Sequence, residues 1–317
     1  MLITLCRSNA DSKMKRTILI LVLLPLLSAG YAAAQFPNEA ETAGASFLKF
    51  GMGARAAGMG EAFTAVTADV SSVYWNPGGL AELEGVWATF MHNRWFQDIS
   101  TEFFASAFKI SRNTLAFSFT INTVPDIERR EGATTEPLSY FDAHQVALGA
   151  SWARQFASRI DLGLTVKWLH EEIDIHRASG IGFDLGGIYS LSDRFNLGFA
   201  ILNLGPGMKF EEQEYPLPCF YKIGAVFTGS ENRLRGAYAL ALDLVKPKDE
   251  DLRVHTGAEY TLPQNFTLRL GYQFGYDEKG FTVGLGFKIK RYGIDYAFVP
   301  YSSDLGNTHR ISLNVKL

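Results

Sequence analysis

"FTVGLGFKIK", Phe281 to Lys290, alternates with a period of two. Phe281, Val283, Leu285, Phe287 and Ile289 fall on one face of an extended chain, and Thr282, Gly284, Gly286, Lys288 and Lys290 on the other. The pattern recurs outward from there. Phe266, Leu268, Leu270, Tyr272 and Phe274 oppose Thr267, Arg269, Gly271 and Gln273. Leu115, Phe117, Phe119 and Ile121 oppose Ala116, Ser118 and Thr120, and the chain closes on Ile311, Leu313, Val315 and Leu317. About fourteen such segments are counted by this test. They begin near Gly85, Thr101, Asn113, Asp142, Arg159, His176, Arg194, Cys219, Leu234, Asp251, Asn265, Gly280, Tyr292 and Thr308. Most are ~10 residues long, enough for a tilted strand to cross a bilayer. The segment Thr101–Ile110 alternates poorly.

The connections alternate too. Brief turns are expected at Ser111-Arg112, Ala157-Ser158, Ser192-Asp193, Gly229 to Arg233, Pro263-Gln264 and Arg291. Longer polar links fall between them, at Val124 to Phe141, Gly205 to Pro218, Lys246 to Glu250 and Ser302 to Asn307. Short turns on one side and long loops on the other is the pattern of an outer-membrane barrel, whose even strand number puts both ends on the short-turn side. A soluble β-sandwich uses strands of roughly 5–6 residues and far fewer of them. Trp87, Trp95, Trp152, Trp168, Tyr276, Tyr292 and Tyr301 lie near segment ends and fit the aromatic girdles of a membrane protein. The expectation is an all-β protein, a fourteen-stranded antiparallel transmembrane barrel over 85–317.

The N-terminus reads as an export signal over residues 1–34, with Met14 as a possible true start. Lys13, Lys15 and Arg16 precede an apolar run from Ile18 to Leu27, and Ala32-Ala33-Ala34 forms a small-residue cleavage site. The run is shorter than the ~20 residues of a spanning helix, and no later segment approaches that length. Cleavage removes four cations and one carboxylate and takes the formal charge from −3 to −6. That balance offers no general attraction to nucleic acid. It also leaves Cys219 alone, so no internal disulfide supports the fold.

Gly51 to Leu83, "GMGARAAGMGEAFTAVTADVSSVYWNPGGLAEL", breaks the period of two. Ala54 to Thr67 reads as a short helix, Asp69 as the N-cap of a second through Val70 to Tyr74, and Asn76-Pro77-Gly78-Gly79 as its stop. A dinucleotide loop would need a third glycine where Ala56 stands, inside a parallel sheet that does not follow. Volume gives a better account. Fourteen strands enclose a lumen too wide for their own side chains. Inward positions are often small, such as Gly149, Gly163, Gly186, Gly198, Ala239, Ala241, Gly284 and Gly286. Residues 35–84 are therefore expected inside the barrel as a plug. The motif residues are Gly53, Arg55, Gly58, Gly60, Glu61, Asp69, Asn76, Pro77, Gly78 and Gly79.

The stretch from Gly44 to Leu83 resembles the N-terminal signature of the PorV/PorQ family, which belongs with the FadL-type fatty-acid transporters. The matching residues are Phe47-Leu48, Gly53-Ala54-Arg55-Ala56, Gly58, Gly60-Glu61-Ala62, Asp69, Tyr74-Trp75-Asn76-Pro77 and Gly79-Leu80-Ala81. Gly78 stands where the pattern usually has Ala. The resemblance implies a fourteen-stranded barrel with an N-terminal hatch, no enzyme activity and no cofactor. It implies one of two roles. PorV-type members serve type IX secretion and bind secretion-machinery proteins or exported cargo at the surface. FadL-type members pass long-chain fatty acids or other hydrophobic small molecules, here along Phe47, Phe50, Met52, Met59 and Phe63. The compact length favours the first.

Other chemistry is sparse. His170, Glu172, Asp174 and His176 would share one face of an extended strand and could hold a cation. Their spacing is not that of a helical zinc motif, and polar residues of an exposed loop account for them better. No Gly-x-Ser-x-Gly elbow occurs. Lys167, Asp184, Asp243, Arg253, Glu259, Arg269, Lys288 and Asp295 fall on inward positions and are expected to anchor the plug, since buried charges need partners. Asp126, Glu128, Arg129, Arg130, Glu131 and Glu136 read as a solvated loop.

Overall fold

The computed structural model describes residues 44–231, 236–302 and 306–317. The expected export signal and the first residues of the expected plug lie outside that range. Sixteen strands are found among the described residues, and fourteen of them close into one antiparallel barrel. These are β1 (Val86–Arg94), β2 (Ser100–Ile110), β3 (Asn113–Arg129), β4 (Ser139–Ala157), β5 (Ile160–Ile173), β6 (His176–Ser192) and β7 (Phe195–Leu204). After the small hairpin β8 (Met208–Phe210) and β9 (Gln213–Tyr215) come β10 (Phe220–Glu231), β11 (Gly236–Pro247) and β12 (Arg253–Thr261). β13 (Phe266–Phe274), β14 (Phe281–Ile289), β15 (Tyr292–Pro300) and β16 (Asn307–Lys316) complete the ring. β1 pairs with β16 from Trp87↔Lys316 to Arg94↔His309, so no ring strand is left with an open edge along the wall. Hydrocarbon offers no partner to a backbone amide, and closure is what satisfies them all. No helix among the described residues is long and apolar enough to cross a membrane.

The alternation read from the sequence sets the facing. On β13, Leu268 and Leu270 are 46% and 52% exposed, while Thr267 and Arg269 are buried. Phe90, Phe199, Ile223 and Ile311 are exposed in the same way on other strands. A continuous apolar belt of this kind belongs against lipid. It ends toward the long-loop side, where His92 meets Glu102 and Tyr296 meets His309 on the outer face.

Several expectations are corrected. β3 to β6 run to 17, 19, 14 and 17 residues, against 9 in each of β12 to β15. Half of the expected long loop from Val124 to Phe141 is strand. β3 continues past a bulge between Val124 and Ile127 to Arg129, and β4 starts at Ser139. Beyond the bilayer both faces of a strand meet water, so paired backbone leaves no hydropathy alternation to read. β2 alternates poorly because Phe103 turns inward, 1% exposed, while its neighbour Phe104 faces out. Of the expected girdle residues, Trp152, Trp168 and Tyr292 are on the outer face. Trp95, Tyr276 and Tyr301 instead line an inward cavity, and Trp87 lines another at the opposite end. A substitution tests the lipid-facing assignment. Leu270 is the midpoint of β13, and Leu270→Arg should cost about 2–4 kcal/mol in reversible unfolding from lipid vesicles. The same change at Gln273, an inward position, would not follow that membrane-depth scale.

Candidate functional site

Residues 44–84 touch strands on opposite sides of the ring. The helix Ala54–Gly58 packs on β13 to β16, and the 3₁₀ turn Pro77–Glu82 packs on β3 to β6. Small inward residues permit the approach. A methyl group on Gly163 would overlap the Pro77 carbonyl, and one on Gly58 would come within 2.8 Å of the Gly284 Cα. Gly186 and Gly198 likewise face Asn76 and Thr64, whereas Gly149 meets Ser118 and Gly286 meets Arg269 and Asp295.

The segment is less helical than its composition suggests. Helix stops at Gly58, and Gly60 and Glu61 both take positive φ, at 61° and 60°. Gly60 lies under the backbone of Thr256 and Tyr272, too close for a longer helix to continue. The second helix is Ser72–Trp75, with the Asp69 carboxylate accepting from the Ser71 amide and hydroxyl. Asn76 ends it. Its Oδ1 accepts from the Gly78 amide, and its amide nitrogen donates to the Thr64 and Gly187 carbonyls at 2.7 and 3.1 Å.

Charge and hydrogen bonds fix the segment to the wall, first through Arg55 at the short-turn end. Arg55 makes a forked pair with Glu259, both bonds 2.9 Å, and reaches Asp69 at 2.9 Å. Glu259 also accepts from Arg269 at 2.6 Å, and Arg269 donates to Asp295 at 2.7 Å. Asp243 accepts from the Phe63 and Thr64 amides, both at 2.8 Å, and from the Thr64 hydroxyl at 2.6 Å. Six residues chosen for their inward parity (Lys167, Asp184, Asp243, Glu259, Arg269 and Asp295) thus meet partners in the lumen, Lys167 pairing with Asp184 at 2.7 Å. Arg253 pairs with Glu250. Lys288 is exposed and lies 5.8 Å from the Trp87 ring.

At the long-loop end a cavity of about 250 Å³ opens above the segment. Phe50, Trp95 and Tyr301 form one wall, with ring centroids 4.5 Å apart for Phe50–Trp95 and 5.6 Å for Trp95–Tyr301. Lys222, Arg253, Lys279 and Arg310 line it too. Glu61 forms part of the floor, paired with Arg310 at 3.2 Å and Lys279 at 3.7 Å. In the outward links, burial works against the charge of Glu250, but Lys49 and Arg253 prevail and hold its carboxyl below the usual range. Burial lowers Lys279, with Glu61 opposing. A second cavity of about 360 Å³ lies at the short-turn end, around Arg55, Trp87, Glu259 and Lys288.

The five residues expected to mark an apolar path fall in three packing clusters, with Phe50 packed against both the Phe47 and the Met52 cluster and Met59 sharing one with Phe63. Phe47 packs with Leu169 and Met208, Met52 with Met91 and Phe103, and Met59 and Phe63 with Trp75 and Val226. Phe50 opens onto the outward cavity. Lys222, Arg310 and Lys279 were not singled out from the sequence, although Lys222 and Arg310 have inward parity on their strands. The His170 group is scattered because Asp174 and Ile175 form a tight turn. His170 meets Ser179, Glu172 meets Arg177, and His176 meets Glu211. No metal-holding cluster of His, Cys, Asp and Glu occurs among the described residues.

The family model described as "Type IX secretion system protein PorV" matches residues 33–246, more than half of the chain. No curated protein matches. Among solved structures, the Ralstonia pickettii toluene transporter TbuX aligns with TM-score 0.59 and 14% identity, over 84% of this chain and 98% of that one. The Pseudomonas putida toluene transporter TodX aligns with TM-score 0.60 and 12% identity, over 83% and 96%. A Pseudomonas aeruginosa FadL homologue aligns at 0.51 and 12%, over 83% and 98%. At such identity the likeness is one of fold, and the fold is an outer-membrane β-barrel.

Substitutions at two lumen positions test these contacts. Arg55→Met leaves Glu259 and Asp69 short of a counter-charge and should destabilise the purified protein by about 3–5 kcal/mol. Arg55→Lys should recover only part of this, because an ammonium cannot reproduce the fork. Gly163→Leu should lower the thermal midpoint in detergent, where Trp152→Leu on the outer face should not.

Proposed function

The chain belongs to the PorV family, and from that premise we propose that it is a non-catalytic accessory of type IX protein secretion, acting at the outer membrane of a Gram-negative-type bacterium. In this reading residues 1–34 are cleaved on export, 35–84 serve as a hatch, and 85–317 form the barrel. The observation that carries it is the family match over residues 33–246. The packed lumen supports it, because a barrel filled by its own chain works through its rim rather than through a passage. Exported proteins or machinery partners would be held by the outward ends of β3 to β6 and the links between them.

Deleting the gene should leave type IX substrates trapped in the periplasm. Affinity purification in mild detergent should recover a secretion component or an exported protein by mass spectrometry. Normal secretion in the deletion strain, with neither class recovered, would overturn the assignment.

A second reading is uptake of hydrophobic small molecules such as fatty acids. The aromatic wall of the outward cavity favours it. It requires the hatch to move and the Arg55–Glu259 fork to open. Loss of growth on oleate or toluene in the deletion strain, restored by the gene, would support this reading in place of the first.

A further inference from the structure

The outward cavity contains a cation that makes no direct ion pair. Lys222 points inward from β10 and is 6% exposed. Its ammonium lies 4.5 Å from the Trp75 ring centroid and 5.6 Å from that of Phe220. Among the described residues it forms no ion pair and no hydrogen bond, unlike the other cations of the wall. Two carboxylates there serve four cations. Glu61 is shared by Arg310 and Lys279, and Glu250 by Lys49 and Arg253. Asp243, opposite Gly224 on the neighbouring strand, has one oxygen committed to Phe63 and Thr64 and the other without a hydrogen-bond partner, and it acts on Lys222 without pairing with it directly.

A buried ammonium whose direct contacts are ring faces, with Asp243 and Glu61 acting at longer range, is incompletely compensated, and an arriving anion would make good the deficit. The anion cannot be a bare ion if it is to use the rest of the site, because Phe50, Trp95 and Tyr301 form an apolar wall beside it. The floor is the N-terminal segment itself, so the cavity ends blind. We propose that this cavity binds a carboxylate carried on an apolar, ring-sized body, with Lys222 as its counter-ion. Such a group is supplied by a free aryl-alkanoic acid or by the α-carboxylate of a chain that ends in an aromatic residue. The site requires neither of the two roles above, and its failure would leave the secretion role standing.

The full-length protein in non-ionic detergent is titrated with 3-phenylpropionate, with calorimetry and the fluorescence of Trp75 and Trp95 as readouts. Saturable binding is expected, and the neutral 3-phenylpropanamide should bind about tenfold more weakly or worse. Lys222→Met should abolish that preference for the acid. Lys288→Met, at the opposite end, should leave it unchanged. The peptide Gly-Gly-Phe with a free C-terminus, set against its C-terminal amide, separates the sources. Tighter binding of the peptide acid than of phenylpropionate assigns the site to a chain end, and the reverse assigns it to a free acid. An amide that matches its acid, a lack of saturation by either acid, or an unchanged preference in Lys222→Met would overturn the proposal. If Lys222→Met fails to fold, the acid and amide titrations of the unaltered protein decide it alone.

Discussion

Fourteen strands enclose more room than their inward side chains can fill, and the rest of this structure answers that constraint. A barrel this wide can leave its lumen to water, as porins do. The chain's own residues 44–84 take the space instead. They bring apolar side chains for the small inward faces and charged ones for the inward charges. Arg55 and Glu259 are 204 residues apart in sequence, yet their pairing joins the start of the chain to the far side of the wall. Packing and charge therefore act together. The glycines allow the backbone to come close, and the ion pairs fix where it comes to rest.

Much of this was legible from residues alone because a barrel strand is a binary object. Its two faces meet two different media, and the period of two records which is which. Parity therefore placed Lys167, Asp184, Asp243, Arg269 and Asp295 inside before any partner was known. It failed where the media are the same on both faces. The outward ends of β3 to β6 stand in water on either side, so their alternation fades and they read as loop. It also failed where the inner face is itself apolar, as at Phe103, whose partners Met52 and Met91 lie on other segments. Composition overstated helix in the N-terminal segment. The alanines after Gly58 favour a helix locally, but contact with the Thr256 and Tyr272 backbones turns the chain at Gly60. No local signal carries that information.

The two families of likeness describe different levels of the molecule. The match to the PorV family rests on sequence and covers the N-terminal segment and nine of the fourteen ring strands, β1 to β11. The likeness to hydrocarbon transporters rests on the path of the backbone, at 14% identity or less. A shared wall is compatible with different uses, because function resides in what fills the lumen and what stands on the rim. In this chain residues 44–84 divide the lumen, leaving a cavity of about 250 Å³ toward the loops and one of about 360 Å³ toward the short turns. The outward one sets cations beneath an aromatic lip.

The unequal strands have a mechanical consequence. β3 exceeds β13 by eight residues, about 26 Å of extended chain. The top of the cylinder is therefore a slope, high over β3 to β6 and low over β12 to β15. Arg253, Tyr276 and Lys279 stand on the low side. A rigid body lowered onto this slope would lean toward them, so the barrel's outline alone sets the direction from which a visitor reaches the opening.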